Sequence, residues 1–562
     1  MRTKLALGLL CAPLLLACLA ACTSRSPAVY SKATSRSGTQ AITPGWTVPA
    51  PPNAVVGQSY TASVPAVSGD TYAWTVTAGS ASLINATTAV LTFTPKASGT
   101  VTLHCVQTDA AKSTRSVDYS LTAATGPTLN AEPASISVGQ GTILLATFTG
   151  TTGTINPGSL SVTSGVGLTV RPSATTTYTL SVDGTPVATA TVTVLTYTPK
   201  FVYVSNSNDE TISGFSLDAS SGALTALSGS PFRSPDSKYM DQIATSPDSK
   251  FLFAAGQSGT VYAFSIDSTS GALTSVSGSP FTANASIMFN AVAADPFDRF
   301  VYAHGQDGKV YGFSLDSTSG ALTAISGSPW AAGSNSSYYG GIVVHPAGSF
   351  LYVADSGDTT VTAFAIDQSS GALTKTSGSP YDVSYSGKLA MPFGVAIDNS
   401  GSYFFTKGES GTSYLAALAI NLATGDLTSA TGSPYGPLVG EDAFHGLCAH
   451  PTKDFVYISF YESDSYDAAA YSLNPTSGAL SPLSGSPYDL FSVHGSDNIV
   501  VDRSGQFAFS TDFNGGLISA MRVDSSTGGL LTLAGVAVFG ENETTVAVGK
   551  EPDSIAIAGA LE

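Results

Sequence analysis

The pentapeptide Ser221-Gly-Ala-Leu-Thr225, followed four residues later by Gly229-Ser-Pro-Phe232, returns along the chain. Copies begin at Ser270, Ser319 and Ser370, with Gly278-Ser-Pro-Phe281, Gly327-Ser-Pro-Trp330 and Gly378-Ser-Pro-Tyr381 behind them. Looser copies follow at Thr424-Gly-Asp-Leu-Thr428 and Ser477-Gly-Ala-Leu-Ser481, each with its own Gly-Ser-Pro-Tyr. A degenerate one at Thr527-Gly-Gly-Leu-Leu-Thr532 lacks it. The glycines of these copies, from Gly222 to Gly528, stand about 50 residues apart. A fixed period of this length, made of short strands and turns, is the signature of a β-propeller blade, which cannot bury its faces alone. Seven copies predict seven blades.

Each repeat reads as four strands, here lettered A to D. In the second blade these are Ile243-Ala-Thr-Ser-Pro, Lys250-Phe-Leu-Phe-Ala, Thr260–Asp267 and Ala272-Leu-Thr-Ser-Val. Gly, Asp and Ser fall between them, where turns need their backbone freedom. The chain enters the repeats out of phase, at a B strand (Phe201-Val-Tyr-Val204), and its last apolar segment, Pro552-Asp-Ser-Ile-Ala-Ile557, matches strand A. One blade must therefore combine both ends of the repeat region, which closes the ring and removes an exposed edge.

Ahead of the propeller, assigned to 198–562, the chain divides into a leader (1–21), a tether (22–41) and two β-modules (42–124 and 125–197). Met1-Arg-Thr-Lys4 is a basic start, and the apolar run Leu5–Ala17 is too short for a membrane span. Leu19-Ala-Ala-Cys22 resembles the bacterial lipobox, whose cysteine is acylated, which would anchor the mature chain to a membrane through Cys22; an Ala-x-Ala cleavage site with an incidental cysteine is the alternative. Thr23 after the cysteine leans towards the outer membrane by that resemblance. Residues 23–41 lack an apolar period and read as a flexible tether.

In the first module Tyr60–Val64, Thr71–Thr77, Val90–Thr94 and Val101–Val106 alternate apolar and polar residues. Trp74 and Cys105 resemble the core of an immunoglobulin-like sandwich without its second cysteine. In the second, Ala134–Val138, Ile143–Thr149, Leu168–Val170, Tyr178–Val182 and Ala188–Val194 repeat the pattern, and Pro172–Val182 resembles a strand of bacterial Ig-like modules. The expected fold class is all-β: a seven-bladed propeller preceded by two Ig-like sandwiches that act as spacers. Cys105 and Cys448 lie in different expected domains, so two buried thiols are expected rather than a disulfide.

The blade pattern Phe-x-Tyr-Val-(Ala/Ser)-(Asn/Asp), then Val-x-x-Phe-x-Ile-Asp-x-x-(Ser/Thr)-Gly-x-Leu-Thr, resembles the seven-bladed propeller lactonases, which include 6-phosphogluconolactonase-like proteins. The resemblance spans about residues 200–558. In that family one blade carries Gly-Pro-Arg-His entering strand A and Asn-Glu-Leu after strand B. Here the counterparts are Met391-Pro-Phe-Gly394 and Lys407-Gly-Glu409, so Pro392 and Glu409 match while Phe393 and Gly394 replace Arg and His. His445 in the next blade takes the Arg position. If the chain hydrolyses an unphosphorylated lactone or ester, the resemblance puts Glu409 or His445 in the role of general base.

The repeats disagree with one another at the mouth of the channel. Entering strand A they place Asp241, Asn290, Gly340, Phe393, His445, Asp497 and Asp553; after strand B they include His304, Asp355, Lys407 and Asp512, and His494 precedes Asp497. Variation at fixed places on a repeating frame is what a binding face shows, and unselected turn residues would show it too. Five carboxylates there oppose a phosphorylated sugar, and the net charge of −17 opposes nucleic acid. No Asp-x-Asp-x-Asp-Gly loop, His-Glu-x-x-His, Gly-x-Ser-x-Gly elbow or phosphate loop occurs, so no metal or cofactor is expected. Two functions remain: a lipid-anchored envelope module that binds a small-molecule, carbohydrate or protein ligand through its channel face, and a hydrolase of an unphosphorylated lactone or ester.

Overall fold

The structure, a computed structural model, describes residues 53–562 apart from 58, 65, 125, 334–339, 386–390, 410–412, 437, 439–445, 461–466, 491–495 and 534–544. Cys22, the leader and the tether therefore lie outside the described residues, as do His445 and His494. Every regular element described is a β-strand. The chain forms two compact units, Met1–Gly126 and Pro127–Glu562.

In the first unit two sheets share one core. One runs in the order Asn53–Val55, Thr114–Ala124, Gly99–Thr108, Thr71–Ala78; the other joins Tyr60–Ser63, Val90–Pro95 and Ala81–Ile84. Trp74 and Cys105 from the first sheet meet Leu91 and Phe93 from the second in a single buried cluster. The strand Thr114–Ala124 escapes the sequence reading because Arg115 and Asp118 interrupt it, yet Val117, Tyr119, Leu121 and Ala123 all point into the core. Both described cysteines are free; Cys105 is buried, whereas Cys448 is only half-buried, and loss of hydration pushes both thiols up to about 12.

The second unit contains the propeller. Seven sheets with the order A-B-C-D follow one another, six of them from consecutive chain. The first blade is built from both ends of this unit: Pro552–Leu561 is strand A, and Tyr197–Asn206, Thr211–Leu217 and Leu224–Ala226 are B, C and D. Strands A and B of this blade pair antiparallel from Tyr197 with Leu561 to Asn206 with Pro552. Thr196 and Glu562 extend the ladder by exchanging backbone hydrogen bonds of 3.1 and 2.9 Å. Ring closure follows the reading of the repeat's phase.

The repeated residues turn out to be the seams between blades. Gly371 sits at φ 73° in the turn from C to D, and a Cβ on it would come within 2.6 Å of the Phe300 ring of the preceding blade. Only glycine meets both demands. Tyr302, two residues after that Phe, donates its hydroxyl to the Gly371 carbonyl at 2.8 Å. The same latch joins Tyr203 to Gly271 (2.7 Å), Tyr352 to Gly425 (3.1 Å) and Tyr457 to Gly528 (2.8 Å).

The Gly-Ser-Pro serines have an equally local purpose. Ser230, Ser279, Ser328, Ser379, Ser433 and Ser486 each accept a backbone N–H of strand C sixteen residues earlier, at 2.9–3.0 Å. After them short segments such as Phe232–Arg233 add a fifth strand against C. Neither motif faces the channel. His345 and His450 are structural as well. Each accepts a turn N–H on Nδ1, and Nε2 lies 2.9 and 3.1 Å from the carbonyls of Gly401 and Gly505 on the next blade.

The module at 127–195 carries two sheets around the cluster of Leu144, Ile155, Tyr178 and Leu180. The spacer role expected for it does not describe its position. The Thr169 hydroxyl donates to Ala347 O at 3.3 Å, and a Cβ on Gly139 would lie 2.6 Å from Pro451 O. Gly141 approaches the Phe297 ring in the same way. These partners lie on the A–B turns of three blades, so the module covers that end of the channel.

Two outcomes follow. Tyr302→Phe should cost about 1 kcal/mol in urea unfolding, the net worth of one neutral hydrogen bond. A chain ending at residue 549 lacks strand A of the first blade and should lose its cooperative melting; a transition like that of the full chain would refute the closure.

Candidate functional site

The register of A against B decides which side chains gather at the open mouth. The first residue of A lies opposite the end of B: Met240 with Gly256, Phe289 with Gly305, Gly340 with Asp355 and Ser496 with Asp512 are end to end, and in the fifth blade Gly394 pairs with Lys407, two residues before B ends at Glu409. The positions compared across repeats are thus neighbours in space, at the end opposite the covering module.

Four adjacent blades depart from regular pairing there. In the second blade the register shifts between Met240 and Ile243, in the third between Phe289 and Ala291, and in the seventh between Ser496 and Ile499. The first blade shifts where Ser554 and Pro552 flank Asp553. Each shift is a β-bulge holding the channel residue, in ring order Asp497, Asp553, Asp241 and Asn290. A bulge re-aims a side chain that regular pairing would send elsewhere. Blade four pairs without one at Gly340, and there the glycine makes room: a Cβ on Gly340 would stand 2.5 Å from His304 Nδ1.

The site is polar and buried. Asp241, Asn290, His304, Asp355, Lys407, Asp497, Asp512 and Asp553 are all buried. Burial raises the pKa of the Asp241 carboxyl, and the negative charge of Asp497 raises it further. Asp241 therefore holds a proton where an ordinary aspartate has lost it, and can donate as well as accept. Tyr239 stands beside this arc, unremarked in the sequence reading. Burial first, then Asp241 and Asp553, push its phenol well above the usual range. An aromatic two residues ahead of the channel aspartate was its only signal.

On the other side of the mouth His304 lies 4.0 Å from Asp355 Oδ2, and neither of its ring nitrogens has a hydrogen-bond partner. Burial pushes its pKa down to about 4, so the imidazole is neutral at physiological pH. Asp355 and Asp512 each commit one oxygen to their own turn, accepting from Gly357 N at 2.9 Å and Gly515 N at 2.8 Å. Lys407 holds blades five and six together, donating to Ser459 O at 2.8 Å. Phe393 is buried, and its N–H bonds Lys407 O at 3.0 Å. Glu409 ends the same B strand, and its side chain lies outside the description. The structure thus groups Asp241, Asn290, Asp497 and Asp553 as one arc, sets His304 beside Asp355, and gives Lys407 a seam. Among the described residues no three acidic, His or Cys groups are placed to hold a metal ion.

A family model described as a lactonase, seven-bladed β-propeller, matches residues 166–289 and 292–439. The propeller is lactonase-like. No curated protein matches the sequence. Among solved structures, this lactonase-like propeller is similar to a candidate 6-phosphogluconolactonase from Bacteroides uniformis, at 15% identity and a TM-score of 0.50 over 64% of this chain and 100% of that one. A second candidate, from Bacteroides fragilis, shows 17% identity and a TM-score of 0.50 over 64% and 98%. The periplasmic gluconolactonase of Pseudomonas aeruginosa shows 14% identity and a TM-score of 0.50 over 64% and 99%. At such identity the likeness speaks for the fold.

Asp241 gives the lactonase-like mouth a pH signature. Its proton is held more tightly in the fold than in the unfolded chain, so this contribution to stability is complete below the ordinary carboxylate pKa of about 3.9. It is lost as pH rises through the raised folded value. Asp241→Asn removes that loss, and its melting temperature relative to the parent should climb steadily from pH 4 through neutrality. A constant difference would show that Asp241 titrates normally.

Proposed function

We propose that the lactonase-like propeller binds an unphosphorylated, hydroxyl-rich ligand of the sugar-lactone class at its channel mouth. The observation that carries this is the bulged arc of Asp497, Asp553, Asp241 and Asn290 on four adjacent blades. Carboxylate and carboxamide oxygens accept from sugar hydroxyls, and protonated Asp241 and the Asn290 amide can donate in return. Three acidic groups without an arginine clamp disfavour a phosphorylated sugar. Export and anchoring through Cys22 belong to the same reading, supported by the basic start and Leu19-Ala-Ala-Cys22; Cys22→Ser should release the chain from membranes.

A second reading adds turnover, favoured by the family and by the Pseudomonas gluconolactonase that shares the fold. A water would attack the lactone carbonyl carbon, the ring C–O bond would break, and the proton taken by Glu409 or His445 would pass to the departing ring oxygen. The product is a hydroxy acid.

Calorimetric titration with a neutral six-carbon aldonolactone separates these. Binding should weaken at least about tenfold in Asp497→Asn, the worth of one charge-assisted hydrogen bond. A 6-phosphorylated lactone that binds as well as the neutral one would overturn the proposal. Turnover lost in both Glu409→Gln and His445→Ala would establish hydrolysis; a chain that binds without turnover is a binding module.

A further inference from the structure

At the covered end of the propeller, a cavity of about 190 Å³ lies between the module at 127–195 and the A–B turns of blades four to seven. Two arginines line it, Arg171 from the module and Arg503 from blade seven. Among the described residues neither forms a salt bridge. Arg171 directs Nε and Nη2 at one backbone oxygen, that of Gly139, with Nε at 3.1 Å. Arg503 Nη1 donates to the carbonyl of Pro247, and its Nη2 is buried with no hydrogen-bond partner.

The nearest carboxylates are otherwise engaged. Asp398, which also lines the cavity, accepts from Tyr403 N at 2.6 Å and from Ser400 N at 2.9 Å, and it acts on Arg171 only at longer range. Asp298 and Asp248 act on Arg503 in the same way. A guanidinium withdrawn from water is retained at a cost unless an anion meets it. Arg503 also lies over the Tyr197 ring, 4.8 Å from its centroid. Even so, two guanidiniums on one cavity, in a chain with 39 acidic and 22 basic residues, concentrate positive charge that no carboxylate among the described residues meets in a salt bridge. Neutral donors stand beside them: Gln140 accepts on Oε1 from Ser137 N and Oγ, at 2.8 and 2.9 Å, so that its amide nitrogen remains as a donor, and the Asn399 carboxamide shares the wall.

We propose that this cavity is a binding site for a small organic carboxylate, held by Arg171 with Gln140 and Asn399 and by the field of Arg503. The pairing suits Arg chemistry, because a carboxylate accepts two parallel N–H donors in plane. The site is separate from the channel mouth, lying at the other end of strand A. Occupation would join the module to the propeller, so the bound anion should stabilise the whole second unit.

The test uses the full chain and three probes at one pH and ionic strength: gluconate, inorganic phosphate and neutral sorbitol. Gluconate should raise the melting temperature in a saturable way and sorbitol should not. Arg171→Gln should weaken gluconate at least tenfold, and Asn399→Leu, which leaves both arginines in place, should weaken it also. Asp241→Asn at the mouth should leave it unchanged. No shift with gluconate, an equal shift with sorbitol, stronger binding of phosphate than of gluconate, or a gluconate effect untouched by Arg171→Gln would each overturn the proposal. A gluconate effect abolished by Asp241→Asn would place binding at the mouth and overturn it as well.

Discussion

The closed ring of blades depends on one backbone ladder, the pairing of Tyr197–Asn206 with Pro552–Leu561. Without it the first blade has no inner strand, and the second and seventh blades lose a neighbour on the channel side. Asp553, one member of the acidic arc, is carried by this closing strand, and its bulge exists only because the two chain ends are paired. The acidic arc and the ring closure are thus one feature. A chain that failed to close would lose its site before it lost its remaining blades.

The blades are joined by a small set of contacts used repeatedly. A positive-φ glycine lies under the aromatic that opens the preceding B strand, and a tyrosine hydroxyl bonds the same glycine's carbonyl. Where the second blade has Phe253 in place of that tyrosine, the hydroxyl latch is missing, and apolar packing with a bond from Asp248 N–H to Asp298 Oδ1 joins the seam. Such redundancy frees the mouth positions. A β-bulge disturbs a ladder locally, and four bulges at one rim are tolerable because the seams lie elsewhere along the strands.

The two polar features of this unit differ in sign and setting. At the mouth, burial and then the charge of Asp497 raise the pKa of Asp241, so that member of the acidic arc is neutral and can donate. At the covered end, two arginines share a cavity without a salt bridge. A neutral polyol suits the first and an anion the second. The histidines divide along similar lines: His345 and His450 are satisfied on both nitrogens and hold turns, whereas His304 is satisfied on neither.

Much of this was legible in the residues alone. The period of the Ser-Gly-Ala-Leu-Thr copies determined the number of blades, and the mismatch of phase at the ends determined which segments must pair. Both are properties of local pattern, since period 2 alternation and turn residues act within a few residues of one another. The places where repeats disagree also marked the mouth, including Asp241, Asn290, Asp497 and Asp553. What the sequence could not decide was set by contacts between distant parts. The bulges, the burial that keeps Asp241 protonated, and the seam role of Lys407 arise only when strands from neighbouring blades meet. The module at 127–195 reads as a spacer because its strands show their own core and nothing of their partner. Gly139 against Pro451, and Arg171 facing a cavity with Arg503, are separated by hundreds of residues, and only the closed ring brings them together.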